Sequence, residues 1–212
     1  DRWFDALVPI SALTQLAELP GTALVEPIVR VFSVDDVTPL APNDDVRALA
    51  GIYQTAGVVA SNANAWHAAG LMGTGISVVV LDGGFSNYTL LQSLGELPPN
   101  PSLGIWNGAV PSSMHGSAVA EILYDMAPGI TMTLAAPTSA TEMAQLIEGF
   151  SNLAEYSRPK IITSSIGYYN LEAGDGTGPV SNAIAYAESQ GILYTQAAGN
   201  QALYNWQNSF SD

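Results

Sequence analysis

The chain contains no cysteine, which excludes disulfides, a thiolate nucleophile and thiolate metal sites while leaving the compartment open. Positive charge is almost as scarce. Five Lys and Arg stand against nineteen Asp and Glu in 212 residues, for a net charge of −14. The deficit runs through the whole chain, with three basic against eight acidic residues over 1–65 and two against eleven over 66–212. Such a surface repels phosphates, so neither nucleic acid nor an anionic membrane is expected as a partner. No apolar run approaches the ~18 residues of a membrane span, and no basic-then-apolar leader follows Asp1; a leader already removed is compatible with this start. No Asp-x-Asp-x-Asp loop gathers oxygen ligands. The acidic excess therefore reads as solubility, with attraction of Ca²⁺ as the alternative that no motif supports, and no other cofactor is expected. What the chain has in quantity is apolar residues, 48% of the total, enough for a packed α/β domain with a small appendage.

Three stretches differ in texture. Over 1–34, Ser11 is placed to cap a short helix with Leu13, Leu16 and Ala17 inward, Pro20-Gly21 makes a turn, and Ala23-Leu24-Val25 begins an extended segment. Residues 35–63, with Asp35-Asp36, Pro39, Pro42 and Asn43-Asp44-Asp45, have the composition of an exposed linker. From 64 to 212 strands and helices alternate. Ala65–Ala69 is a short helix closed by Gly70, and Ile76–Leu81 is a β-branched run suited to a strand buried on both faces. A helix from about Gly116 to Asp125 sets Val119, Ile122, Leu123 and Met126 on one face before Pro128-Gly129. Then come a strand at Ile130–Ala135, a helix from Ala140 to about Tyr156, a strand at Lys160–Ser165, a helix at Pro179–Gln190 and a strand at Ile192–Ala197. Strict alternation predicts a parallel sheet with helices on both faces, a three-layer α/β fold, with ligands at the carboxyl ends of the strands.

Asp82 closes the apolar run Val80-Leu81, and His115 opens the small-residue helix His115-Gly116-Ser117-Ala118-Val119-Ala120. A serine hydroxyl is a poor nucleophile until an imidazole takes its proton, and the imidazole needs a carboxylate to fix its tautomer. The segment Gly73-Thr74-Gly75-Ile76-Ser77-Val78-Val79-Val80-Leu81-Asp82-Gly83-Gly84 resembles the aspartate motif of the subtilisin-like serine proteases, and His115–Ala120 resembles their histidine motif. Ile162-Thr163-Ser164-Ser165-Ile166-Gly167 resembles their substrate-binding strand and Gly191–Asn200 their oxyanion-asparagine motif. The Asp-then-His order is also that of the family. The resemblance implies a serine endopeptidase with His115 as general base, Asp82 as its orienting partner and Asn200 as oxyanion donor. It implies substrate pairing along Ser165, Ile166, Gly167 and Ala197, Ala198, Gly199. No Gly-Thr-Ser tripeptide occurs up to Asp212, so the nucleophile is expected beyond residue 212, and this chain alone is expected to be inactive.

The chain departs from the family pattern in three places: Gly83 replaces the usual threonine or serine, Ser117 the usual threonine, and Glu121 a common glycine. Pro137-Thr138-Ser139-Ala140 superficially resembles a nucleophile motif but lacks its glycine, and Ser139 is expected to cap the following helix. The glycines of Gly73-Thr74-Gly75 precede the strand, which disfavours a dinucleotide site. His67 lies outside any motif and reads as a surface or packing residue. Val8–Leu13 and Leu19–Pro27 resemble the later part of a subtilase inhibitory propeptide, with a simple N-terminal extension as the alternative. The resemblance thus implies a secreted enzyme acting on peptide or protein substrates and docking its own propeptide. A non-catalytic or truncated relative that binds peptides or partners is the alternative function.

Overall fold

Beyond Ser77 the run Val78–Leu81 is apolar on both faces, so it is stable only as an inner strand. It forms β1 (Ser77–Leu81), flanked by parallel partners on each side: β3 (Thr131–Ala135) with β2 (Leu103–Ile105) beyond it, and β4 (Ile161–Ser164) with β5 (Leu193–Gln196) beyond that. The computed structural model describes residues 8–22, 25, 54–106, 113–168, 172 and 175–199. Among them the sheet is five-stranded and all-parallel, in the order β2-β3-β1-β4-β5.

Alternate residues of β1 feed two separate cores. Val79 and Leu81 pack with Met143, Ile147 and Phe150 of α6 (Ala140–Ser151), with Ala183 and Ala187 of α7 (Pro179–Ser189), and with Ile162 and Ile192. Val78 and Val80 pack with Met132, Leu134, Phe85 and Leu97, and with Ala120 of α5 (His115–Met126). Helix ends follow local chemistry. Ser139 caps α6, accepting from the Glu142 N–H, while the Glu142 carboxylate reaches back to the Thr138 N–H and hydroxyl. Pro179 opens α7 after Gly178, and the Glu172 carboxylate takes the Val180 and Ser181 N–H groups at 2.8 and 3.2 Å. Arg158 donates to the carbonyls of Leu153 and Gln190, a cation placed just beyond the C-terminal ends of α6 and α7.

Several details depart from the sequence-based expectations. The first helix, α1 (Leu13–Ala17), buries no residue and leaves Leu13 38% exposed. Ser11 belongs to the 3-10 turn Ile10–Ala12 and does not cap it. Five residues with no sheet beside them among the described residues have nothing to pack on. Ala23 and Leu24 lie outside the described residues. The end of the 35–63 segment is folded: α2 (Ala56–Ala60) buries Val58, and the preceding Thr55 N–H donates to Asp125 of α5 at 2.6 Å. Residues 35–53 lie outside the described residues. α3 (Ala63–Ala68) starts two residues earlier than expected, after a left-handed Asn62, and Gly70 follows its end at φ +79°. Two short elements escaped the pattern, α4 (Tyr88–Ser93) and the strand β2. The α6 helix stops at Ser151, and a 3-10 turn at Glu155–Ser157 follows.

On α5 the face toward the core is Gly116, Ser117 and Ala120, flanked by Val119 and Leu123, while Ile122 is 50% exposed. Small residues allow the closest approach, so the contact face is rotated away from the most hydrophobic stripe. Glu121 is consequently half-buried, and burial followed by the charges of Glu96 and Asp125 raises its carboxyl pKa. A raised carboxyl pKa means that the folded state holds the proton more tightly than the unfolded chain. The resulting stability is complete below about pH 4.3, the usual glutamate value, and is lost as pH rises through the folded value. Glu121→Gln should therefore melt near wild type at pH 4 and above wild type at pH 7.5; thermal melts at both values check this.

Candidate active site

The strand order reverses its direction of growth at β1, with β3 and β2 to one side and β4 and β5 to the other. Side chains at the carboxyl end of such a strand stand at the mouth of a crevice. Asp82 is the first residue beyond β1 and is 0% exposed, its N–H still held by the Ala135 carbonyl at 3.2 Å. A buried carboxylate needs donors. Asp82 receives the Gly83 N–H on Oδ1 at 2.7 Å, and His115 Nδ1 lies 2.9 Å from each carboxylate oxygen. His115 is the first residue of the twelve-residue helix α5, so the partial positive charge of that helix end also faces the carboxylate.

Three bonds hold the two motifs together across 33 positions. Gly116 N–H donates to the Gly84 carbonyl at 3.0 Å, the Ser117 hydroxyl donates to the Ser86 carbonyl at 2.7 Å, and Ser86 N–H donates to the Ser113 carbonyl at 2.9 Å. Ser117 thus keeps a hydroxyl that staples the Asp82 loop to the helix. The Ser113 hydroxyl accepts from the His115 N–H at 3.1 Å, fixing the backbone from which the imidazole projects. A neutral imidazole with Nδ1 turned to a carboxylate carries its proton on that nitrogen and leaves Nε2 as the acceptor. His115 is 21% exposed at its side chain. The pair therefore presents a base oriented by an acid at the sheet edge.

The expected substrate-binding segments leave the same edge. Ser165 follows β4 beside β1, its N–H directed at the Leu81 carbonyl at 3.4 Å. Ser165 is half-buried and Gly167 exposed, whereas the Ile166 side chain is in the core. Ile166 can therefore meet a ligand through its backbone alone. Ala197, Ala198 and Gly199 continue from β5 and are all exposed. Asn200 lies outside the described residues. His67 sits elsewhere, its Nε2 at 3.0 Å from the carbonyl of Met126, the last residue of α5. An apolar cavity of about 540 Å³ lined by Trp66, Leu71, Met72 and Met126 also lies at that end of α5, roughly 16 Å along the helix from His115.

Gln196, Gly116, Ser86 and Ser113 were not singled out from the sequence. Their signals are geometric: a polar residue at the end of an exposed strand, and small residues spaced for close backbone approach. Among the described residues no three His, Asp or Glu side chains converge as metal ligands, and no helix is long and apolar enough to cross a membrane. No family model matches the chain, and no curated protein sequence matches it.

Proposed function

We propose that the chain is the front part of a secreted subtilisin-like serine endopeptidase, whose three-layer catalytic domain hydrolyses peptide bonds in peptide or protein substrates. The observation that carries this reading is the Asp82–His115 pair, with Nδ1 at 2.9 Å from both carboxylate oxygens at the carboxyl edge of a parallel sheet. The serine is supplied by sequence beyond residue 212. Its Oγ attacks the scissile carbonyl carbon while its proton passes to His115 Nε2. The same proton then goes to the leaving amine as the C–N bond breaks, and water activated by His115 releases the acyl group. Asp82 stays ionised, holding the tautomer and stabilising the imidazolium. The Asn200 side-chain amide donates to the oxyanion. Ser165, Ile166 and Gly167, with Ala197, Ala198 and Gly199, offer backbone groups to an extended peptide. The 1–34 segment is the remnant of an inhibitory propeptide that docks on this domain.

A fluorophosphonate probe tests the assignment directly. The full-length protein should be labelled at one serine beyond residue 212, and a protein ending at residue 212 should not be labelled. Labelling at Ser139 would sink the reading, because that hydroxyl is buried and engaged in capping α6.

A further inference from the structure

The two segments that leave the sheet edge begin as paired strands, and their regular ladder ends at the Ser164–Gln196 pair. Ile161 to Ser164 of β4 lie beside Leu193 to Gln196 of β5, and Ala197 N–H still donates to the Ser164 carbonyl at 2.9 Å. In a regular parallel ladder, acceptors along one strand are met in turn by N–H groups of the next. Here the succeeding acceptor on the β4 side, the Ile166 carbonyl, is taken by a side chain instead. Gln196 Nε2 donates to it at 2.7 Å.

The same amide is fixed at its other atoms. Tyr194 donates its hydroxyl to Gln196 Oε1 at 3.3 Å, and Nε2 also lies 3.4 Å from the Ala197 carbonyl. The Ile166 carbonyl can only accept, so the nitrogen must face it and the amide has one orientation. Burial pushes the Tyr194 phenol up to about 12, so it remains a donor throughout the neutral range. On the other wall, Ile166 is anchored by its buried side chain. Gln196 is therefore a strut between two backbones, with one end on β5 and the other on the segment after β4.

We propose that Gln196 is a positioning residue that sets the separation of the two walls, and so selects the size of the substrate side chain that enters between them. The proposal rests on the peptidase reading above, which supplies the substrate. The exposed faces of Gly167, Ala197, Ala198 and Gly199 contribute almost no side-chain bulk. With walls made of backbone, their separation decides what fits. A slot of set width accepts one range of side chains well and others poorly, whereas a slot free to relax discriminates less. The hydrogen bonds of Gln196 go to Tyr194, Ile166 and Ala197; its effect on catalysis would reach the substrate through the wall.

The experiment uses the full-length protein and a series of peptides identical except for Ala, Leu or Phe immediately before the scissile bond. Gln196→Met keeps the length and loses the donor, and Gln196→Glu keeps the acceptor for Tyr194 while placing a carboxylate against the Ile166 carbonyl. Both variants should flatten the ratio of kcat/KM between the best and worst peptides by about tenfold, chiefly through KM, with kcat for the best peptide changed by no more than about threefold. A uniform fall in kcat across the series, with the ratios intact, would mean a merely structural role and overturns the proposal. Unchanged ratios in a variant that folds, as its circular dichroism shows, overturn it equally; if the methionine variant fails to fold, the ratios of the glutamate variant decide. His115→Ala separates the two levels. Wild-type hydrolysis that survives His115→Ala removes the peptidase reading and this proposal with it, whereas His115-dependent hydrolysis with unaltered ratios removes this proposal alone.

Discussion

Replacing His115 by alanine should lower kcat for peptide hydrolysis by about 10⁴-fold or more on the proposed reading, because the serine that reading assigns beyond residue 212 then has no acceptor for its proton. On the proposed reading the loss falls on kcat, since an extended peptide would pair with the Ser165–Gly167 and Ala197–Gly199 backbones and not with the imidazole. Stability changes far less. His115 opens α5 and is part of neither core, so the cost is confined to Asp82, which keeps its Gly83 N–H but loses a charge-assisted partner. A carboxylate losing one such bond in a buried place destabilises by about 1–3 kcal/mol. Thermal melting and steady-state kinetics on the same variant separate the two effects. Full hydrolytic activity in a folded His115→Ala protein would remove the catalytic assignment.

The sheet and its chemistry were legible in the sequence to different depths, for physical reasons. The strand at Ile76–Leu81 announced itself because both of its faces feed cores, so the four successive positions Val78 to Leu81 are all apolar and buried, with Ser77 at the half-buried start. Helix α6 was equally plain: Met143, Leu146, Ile147 and Phe150 are buried where the helical period puts them. Helix α5 was located correctly, and Val119 and Leu123 pack on the core as expected, but its buried face is rotated away from Ile122. Hydrophobicity marks Ile122, while the contact is made by Gly116, Ser117 and Ala120, whose value lies in being small. The short elements α2, α4 and β2 carry too few turns or alternations for a period to show, and no uninterrupted apolar run like Val78–Leu81 marks them. The order β2-β3-β1-β4-β5 has no local signature at all, since it depends on which strands meet in space.

The site divides in the same way. Asp82 and His115 stand out because their chemistry demands those residue types at the end of a strand and the start of a helix. The meeting of the two motifs could be anticipated from the sheet edge, but apart from the Ser117 hydroxyl the parts that hold it are main-chain groups: the Gly84 and Ser86 carbonyls and the Gly116 N–H. Main-chain groups are present at every position and leave no mark in a sequence. Ile166 shows the converse. It stands in a motif read for substrate contact, yet its side chain completes the core and only its carbonyl faces the other wall.

Gly116→Ala gives the sharpest test of how the Asp82–His115 pair is held, because local and tertiary physics predict opposite signs. Inside a helix alanine is favoured over glycine by about 1 kcal/mol, so propensity alone predicts a more stable protein. At Gly116 a Cβ would stand 2.5 Å from the Gly84 carbonyl oxygen, 2.6 Å from Asp82 Cβ and 2.6 Å from Phe85 Cε1. None of the three can retreat cheaply. The carbonyl accepts the Gly116 N–H, Asp82 is fully buried on the strand end, and Phe85 is locked in the core with Leu97 and Leu134. The helix start must therefore lift away from the Asp82 loop. Overpacking of this kind costs about 1–3 kcal/mol and overrides the propensity gain. Because α5 carries His115 on its first residue, the same displacement lengthens the separation from Asp82. Gly116→Ala should then lower the melting temperature of the chain and, on the proposed peptidase reading, the kcat for peptide hydrolysis. Gly149, a glycine inside α6 with no atom within 4 Å of an added Cβ, supplies the control. Gly149→Ala should raise the melting temperature, since propensity acts there unopposed. A Gly116→Ala chain that melts at or above wild type would show that the two motifs are not in the close contact on which the site depends.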